Sequence, residues 1–181
     1  TEIALALART ARQQTTVIVI PTITLAHDFE KRFREVYETE EPFAWVSTTT
    51  DDDRKQLQDR FVTGKQPILV ITPDSLEQRL RDTIKNAAGA GRLRALVIDE
   101  AHLFTQWGRS FKAQYREMAA LRKEILERAR SVPGQLGFRT VLLSATVGSA
   151  ELQDLYHHFS FPGPFSVVAA NSFRREHDYW V

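Results

Sequence analysis

The sequence predicts an α/β fold: a mostly parallel central sheet covered by helices on both faces. Three observations carry this. Short runs of β-branched and aliphatic residues, each about five residues long, recur along the 181 residues. Longer amphipathic stretches separate them. The apolar runs are continuous rather than alternating, as in strands buried on both faces.

Taken in order, Glu2–Gln13 reads as an Ala/Leu helix and Thr16–Ile20 as a buried strand. Ile23–Tyr37 is helical, with Leu25, Phe29, Phe33 and Val36 at helical spacing. Phe43–Ser47 is a strand, Asp51–Val62 a charged helix carrying apolar Leu57 and Phe61, and Pro67–Ile71 a strand. Asp74–Ile84 reads as a helix and Asn86–Arg92 as a flexible Gly/Ala loop. Leu93–Ile98 is a strand, Phe111–Arg130 a long helix, and Ser131–Gly137 a Pro/Gly turn region. Arg139–Leu143 is a strand, Ser149–His158 a helix, and Phe165–Val168 a last buried strand. No internal repeat or low-complexity segment interrupts the pattern.

Composition narrows the function classes. With no cysteine there is no disulfide framework, thiolate metal site or cysteine nucleophile. No apolar run approaches the roughly 20 residues of a membrane-spanning helix, so no membrane partner is expected. The net charge of +1 implies no nucleic-acid partner by itself. Its distribution is uneven: Asp28–Asp59 holds 10 acidic and 5 basic residues, whereas Arg60 onward holds 17 basic and 12 acidic. Two solvated faces account for such a split as well as a binding surface does.

In open parallel sheets ligands bind beyond the carboxyl ends of the strands, so the residues following each strand matter most. The strand Leu93–Ile98 runs into Asp99-Glu100-Ala101-His102. A carboxylate emerging at the sheet edge can hold magnesium through its water shell. Its neighbour, pointing elsewhere, can polarise an attacking water. That pair suits nucleoside triphosphate hydrolysis, where positioning and charge stabilisation dominate catalysis. A helix N-terminus would also favour Asp and Glu, but not the whole Asp-Glu-Ala-His string after an apolar strand.

These residues resemble motif II, in its DEAH form, of superfamily 2 helicases. Pro21-Thr22 resembles motif Ia, Thr72-Pro73-Asp74-Ser75-Leu76 motif Ib, and Ser144-Ala145-Thr146 motif III. All four stand in the family's order, each after a predicted strand. The segment Leu103–Arg116 is similar to the aromatic-rich loop after motif II in RecQ-like DNA helicases. It keeps Gln106, Trp107, Gly108, Phe111 and Tyr115, but has Arg109 and Ser110 where that family often has His and Asp, and Lys112 where it often has Arg. The chain also resembles the RecQ-like helicase component of bacterial DNA-modification and defence clusters (DpdF-type proteins). The resemblance implies a three-layer RecA-like (P-loop NTPase) domain spanning residues 1–181. It also implies an ATP-dependent DNA helicase of 3′-to-5′ polarity, acting in DNA repair or recombination in a bacterial cytoplasm near the nucleoid.

The resemblance further implies a role for each residue. Asp99 coordinates magnesium through water, and Glu100 activates the hydrolytic water of ATP. His102 and Gln106 couple the nucleotide site to DNA and to a second motor domain. Ser144 and Thr146 hydrogen-bond with motif II and relay the nucleotide state. Pro21, Thr22, Thr72 and Pro73 hold DNA phosphates. Those hydroxyls and prolines also suit the simpler work of stopping strands and capping helices. Trp107 and Phe111, interleaved with Arg109 and Lys112, combine base-stacking surfaces with phosphate-neutralising charge. Aromatics at four-residue spacing equally share one helix face and can serve a core. The partners implied are single-stranded DNA, duplex junctions and a second RecA-like domain of the same parent chain.

The family's phosphate-binding G-x-x-x-x-G-K-[ST] loop is absent from the sequence. The chain therefore reads as a fragment that begins at the end of that loop. Thr1 then stands in the magnesium-binding hydroxyl position, Gly-Lys immediately precedes it in the parent protein, and the second domain follows Val181. By itself such a fragment is expected to be inactive. A translocase that does not unwind, and a degenerate motor domain that only binds DNA or a partner, remain alternatives. His157-His158 lacks a third metal ligand. His27 and His177 read as surface residues, Asp51–Asp53 as an acidic helix start, and Arg174-Arg175 as the flank of an exit linker.

Overall fold

The structure, a computed structural model, describes residues 2–9, 13–76, 80–103, 109–131 and 137–169, without the side chains of Ala4 and residues 109–116. Five parallel strands form one sheet in the order β2-β3-β1-β4-β5: β1 Thr15–Val19, β2 Ala44–Trp45, β3 Ile68–Ile71, β4 Leu93–Ile98 and β5 Arg139–Leu142. The register aligns Val19 with both Ile71 and Ile98, Trp45 with Ile71, and Ile98 with Leu142. The five strands therefore end on one row.

Side-chain alternation along the strands divides the interior into two layers. Val17, Val19, Leu69, Ile71, Leu96 and Ile98 face one core, packed by the helices Asp51–Val62, Arg81–Gly89, Arg109–Arg130 and Ser149–Phe159. Ile18, Ile20, Ile68, Val70 and Val97 face the other, packed by the helices Glu2–Arg9 and Ile23–Tyr37. Helix, sheet and helix thus make the expected three layers.

Local chemistry fixes the helix ends. Thr22 Oγ1 accepts from Leu25 N–H at 3.3 Å to start Ile23–Tyr37, and Glu38 ends that helix in the left-handed region (φ 49°). Thr50 Oγ1 accepts from Asp53 N–H at 3.2 Å, ahead of three acidic residues in the first turn of Asp51–Val62. Thr50→Ala should lower stability by about 1 kcal/mol, read as a reduced midpoint in urea denaturation with unchanged slope.

Several predicted elements differ. The strand Phe43–Ser47 shrinks to Ala44–Trp45, because Thr49 Oγ1 accepts from Val46 N–H and donates to the Ala44 carbonyl, both at 2.9 Å, and curls the chain. The stretch expected as a helix over Asp74–Ile84 is helical at its described residues, 74–76 and 80–84, and its second part runs on to Gly89. Much of the supposed Gly/Ala loop therefore belongs to a helix. Its Ala87 and Ala88 are buried, and a Cβ on Gly89 would come within 3.1 Å of Arg128 Nε, so small residues let the long helix approach. Phe165–Val168 forms no strand: Phe165 packs on the core and against Tyr156, but Val168 is 98% exposed. No helix among the described residues is long and apolar enough to cross a membrane.

Candidate nucleotide and nucleic-acid site

Because all five strands run parallel and end on one row, their following residues line one edge of the sheet. These are Pro21-Thr22 after β1, Val46–Thr50 after β2, Thr72-Pro73 after β3, Asp99–His102 after β4 and Leu143-Ser144 after β5. Asp99 N–H donates to the Val19 carbonyl at 2.9 Å, and Leu143 N–H to the Ile98 carbonyl at 2.9 Å. Ala101 N–H donates to the Leu143 carbonyl at 2.8 Å. The Asp99–His102 segment is thereby held on one side by the end of β1 and on the other by the end of β5.

Within that segment, Ala101 and Leu103 are buried in the core while Asp99, Glu100 and His102 stay partly exposed. Glu100 adopts a φ of 50°, a left-handed conformation that costs a non-glycine residue about 1–3 kcal/mol. Two hydrogen bonds brace it: Glu100 N–H donates to Asp99 Oδ1 at 3.0 Å, and Leu103 N–H to the Glu100 carbonyl at 2.9 Å. The Glu100 side chain is left 39% exposed.

His102 joins two strand ends. Its Nδ1 lies 2.9 Å from Ser144 Oγ and 3.1 Å from Glu100 Oε2. Ser144 Oγ also donates to the Thr146 carbonyl at 2.9 Å. Asp-Glu-Ala-His and Ser-Ala-Thr, far apart in sequence, therefore meet through His102 and Ser144. Thr146 enters this arrangement by its backbone.

The other strand-end residues are placed differently. Pro21 and Thr22 are accessible, with the Thr22 hydroxyl engaged in capping. Thr72 is 7% exposed, and its hydroxyl pairs with Ser75 Oγ at 3.0 Å. Pro73 beside it is buried as the first residue of the helical stretch that follows β3. Sequence reasoning gave no role to Ser47 and Thr48, although a run of four hydroxyl residues after a short strand was the available signal. Thr48 Oγ1 meets His27 Nε2 at 3.0 Å, which ties this turn to the helix after Pro21-Thr22.

Thr1, Gln106 and Trp107 lie outside the described residues, as do Arg174 and Arg175. Arg109, Phe111 and Lys112 belong to the long helix, but their side chains, like those of Tyr115 and Arg116, are not among those described.

No group of three or more His, Asp or Glu side chains forms a metal cage among the described residues. Asp99 and Glu100 nevertheless fit a magnesium nucleotide, because magnesium is usually held by one or two carboxylates, several waters and the substrate's own phosphates. An open depression lined by His27, Glu30, Lys31, Arg34 and Glu38 includes none of the strand-end carboxylates. Glu30 there is engaged with His27 and Arg34, and accepts from the N–H groups of Phe43 and Ala44. That explains it as a structural brace.

Comparison with known proteins agrees with this geometry. The family described as DEAD/DEAH box helicase matches residues 1–155. ATP-dependent helicase SGS1 of Saccharomyces cerevisiae is 25% identical over 168 residues, covering 92% of this chain and 11% of that protein. ATP-dependent DNA helicase RecQ of Haemophilus influenzae is 22% identical, covering 63% and 16%. RecQ-like DNA helicase BLM of Xenopus laevis is 30% identical, covering 64% and 8%. The chain thus spans a small part of the length of the curated relatives it matches. Among solved structures, the DUF1998 helicase MrfA bound to DNA and AMPPNP aligns with a TM-score of 0.61 at 16% identity, over 81% of this chain and 19% of that one. Helicase Lhr of Mycobacterium smegmatis, bound to ssDNA and AMP-PNP, aligns at 0.59 and 18% identity, over 92% and 21%. These two likenesses concern the fold.

Proposed function

The chain belongs to the DEAD/DEAH box helicase family, and from that premise we propose that it is the first motor domain of an ATP-dependent, RecQ-like DNA helicase. The observation that carries this reading is the strand-end row, where Asp99 and Glu100 emerge between β1 and β5 and His102 meets Ser144 at 2.9 Å. The relatives RecQ and BLM, both DNA helicases by name, support DNA as the substrate.

In this reading Asp99 holds magnesium through water. Glu100 accepts a proton from the water that attacks the terminal phosphate of ATP. Magnesium held at Asp99 would neutralise part of the charge on the phosphates of ATP. His102 and Ser144 connect the hydrolytic segment to the end of β5, so that their contact can respond to the nucleotide state. Pro21, Thr22, Thr72 and Pro73 belong to the same edge, where backbone amides and hydroxyls suit phosphate contacts independent of base sequence. The burial of Thr72 favours Pro21-Thr22 as the more accessible pair. Trp107 and Phe111 stack on bases, while Arg109 and Lys112 neutralise phosphates.

The whole protein, in this reading, works with a phosphate-binding Gly-Lys loop and a second RecA-like domain. It moves 3′-to-5′ on single-stranded DNA.

Trp107→Ala in the full protein should weaken single-stranded DNA binding by about 1–3 kcal/mol, read by fluorescence anisotropy. Displacement of a labelled strand from a 3′-tailed duplex tests unwinding in the same protein. ATP-driven displacement is the expected result. DNA-stimulated hydrolysis without displacement would instead identify a translocase.

A further inference from the structure

The long helix Arg109–Arg130 opens in the aromatic segment and carries a buried cation at Arg122. Arg122 is 6% exposed, and no carboxylate pairs with it among the described residues. Its partners among the described residues are neutral. Nε donates to Thr140 Oγ1 at 2.7 Å, a terminal nitrogen donates to the Phe161 carbonyl at 2.8 Å, and the guanidinium lies 5.6 Å from the Phe159 ring centroid. Burial depresses its pKa. A buried charge without a counter-ion is costly, and an apolar residue of similar volume often serves stability better. Packing alone is therefore a weak reason for an arginine here.

What Arg122 joins supplies a better reason. Thr140 lies on β5, which continues through Leu143 to Ser144. Leu143 exchanges hydrogen bonds with Ile98 and Ala101, and Ser144 meets His102. A continuous set of contacts thus runs from the helix carrying Phe111 and Lys112, through Arg122 and Thr140, along β5 to the Asp99–His102 segment. Arginine's rigid fork fixes both the strand and the Ser160–Gly163 turn relative to that helix.

We infer that Arg122 is a positioning residue: through Thr140 it couples DNA contact at the start of the long helix to the His102–Ser144 junction. The inference rests on the functional reading above. It assigns coupling to a residue that touches neither nucleotide nor DNA.

The test uses the full protein with Thr140→Val, Thr140→Ser and Arg122→Lys, measuring basal ATPase, ATPase at saturating single-stranded DNA, DNA affinity and melting temperature. Thr140→Val removes the acceptor at nearly constant volume, whereas Thr140→Ser keeps it. The expected result is a loss of DNA stimulation of at least about fivefold in Thr140→Val, with basal ATPase and DNA affinity retained and stimulation restored in Thr140→Ser. Arg122→Lys, which cannot reproduce the fork, should lose stimulation as well. Unchanged stimulation in a folded Thr140→Val protein overturns the inference, as does a parallel fall of basal and stimulated rates. A wild-type protein whose hydrolysis ignores DNA overturns the functional reading, and this inference with it.

Discussion

Replacing Glu100 with Gln is expected to lower ATP turnover in the full protein by about 10²–10⁴-fold, the usual contribution of a general base. Binding of nucleotide and of single-stranded DNA should survive. The substitution removes a proton acceptor while keeping side-chain shape. The hydrogen bonds that define the turn, from Glu100 N–H to Asp99 Oδ1 and from Leu103 N–H to the Glu100 carbonyl, are made by the backbone at position 100. The left-handed φ of 50° is equally strained for Glu and Gln. A melting temperature close to wild type, together with lost turnover, would separate chemistry from folding. Near-normal turnover in this variant would remove Glu100 from the reaction.

Phe33→Ala should cost about 3–5 kcal/mol of folding stability, a large share of the roughly 5–15 kcal/mol available to a domain. Phe33 is fully buried between the helix Ile23–Tyr37 and the sheet. Its ring meets Phe29 at 5.8 Å and an interplanar angle of 74°, and Phe43 at 5.9 Å. Such ring pairs add about 0.5–1.5 kcal/mol to burial alone. Urea denaturation followed by circular dichroism measures the loss. A change below about 1 kcal/mol would show that this layer collapses around the cavity or contributes little.

Phe33 also illustrates what sequence can convey. The helix Ile23–Tyr37 and the burial of Phe29 and Phe33 follow from helical spacing after a capping threonine; the left-handed end at Glu38 is seen only in the structure. Spacing misplaced only the margin of that face: Val36 is 43% exposed and Ala26 is fully buried. Composition misled where helices pack closely. Ala87, Ala88 and Gly89 look like a loop in one dimension, yet they are helical because small side chains admit the neighbouring helix. Phe165–Val168 has strand-like composition, but forming a strand requires a partner, and β5 ends the sheet among the described residues.

The candidate site was more legible than these packing details. In a parallel sheet every strand delivers its next residues to the same edge, so Asp99, Glu100, Ser144 and Pro21-Thr22 could be grouped from strand ends alone. The sequence could not indicate that the Thr72 hydroxyl turns to Ser75, or that His102 reaches Ser144. Both depend on side-chain direction. Arg122 was invisible for a similar reason, because an arginine on an amphipathic helix reads as solvent-facing until its burial is seen.

The most direct test of the central claim is the rate of magnesium-dependent ATP hydrolysis by the full protein, with and without a single-stranded DNA oligonucleotide. The account predicts slow hydrolysis alone, a severalfold or greater rise with DNA, and loss of both rates in Glu100→Gln. Hydrolysis that is absent under both conditions, or present and indifferent to DNA, would contradict it.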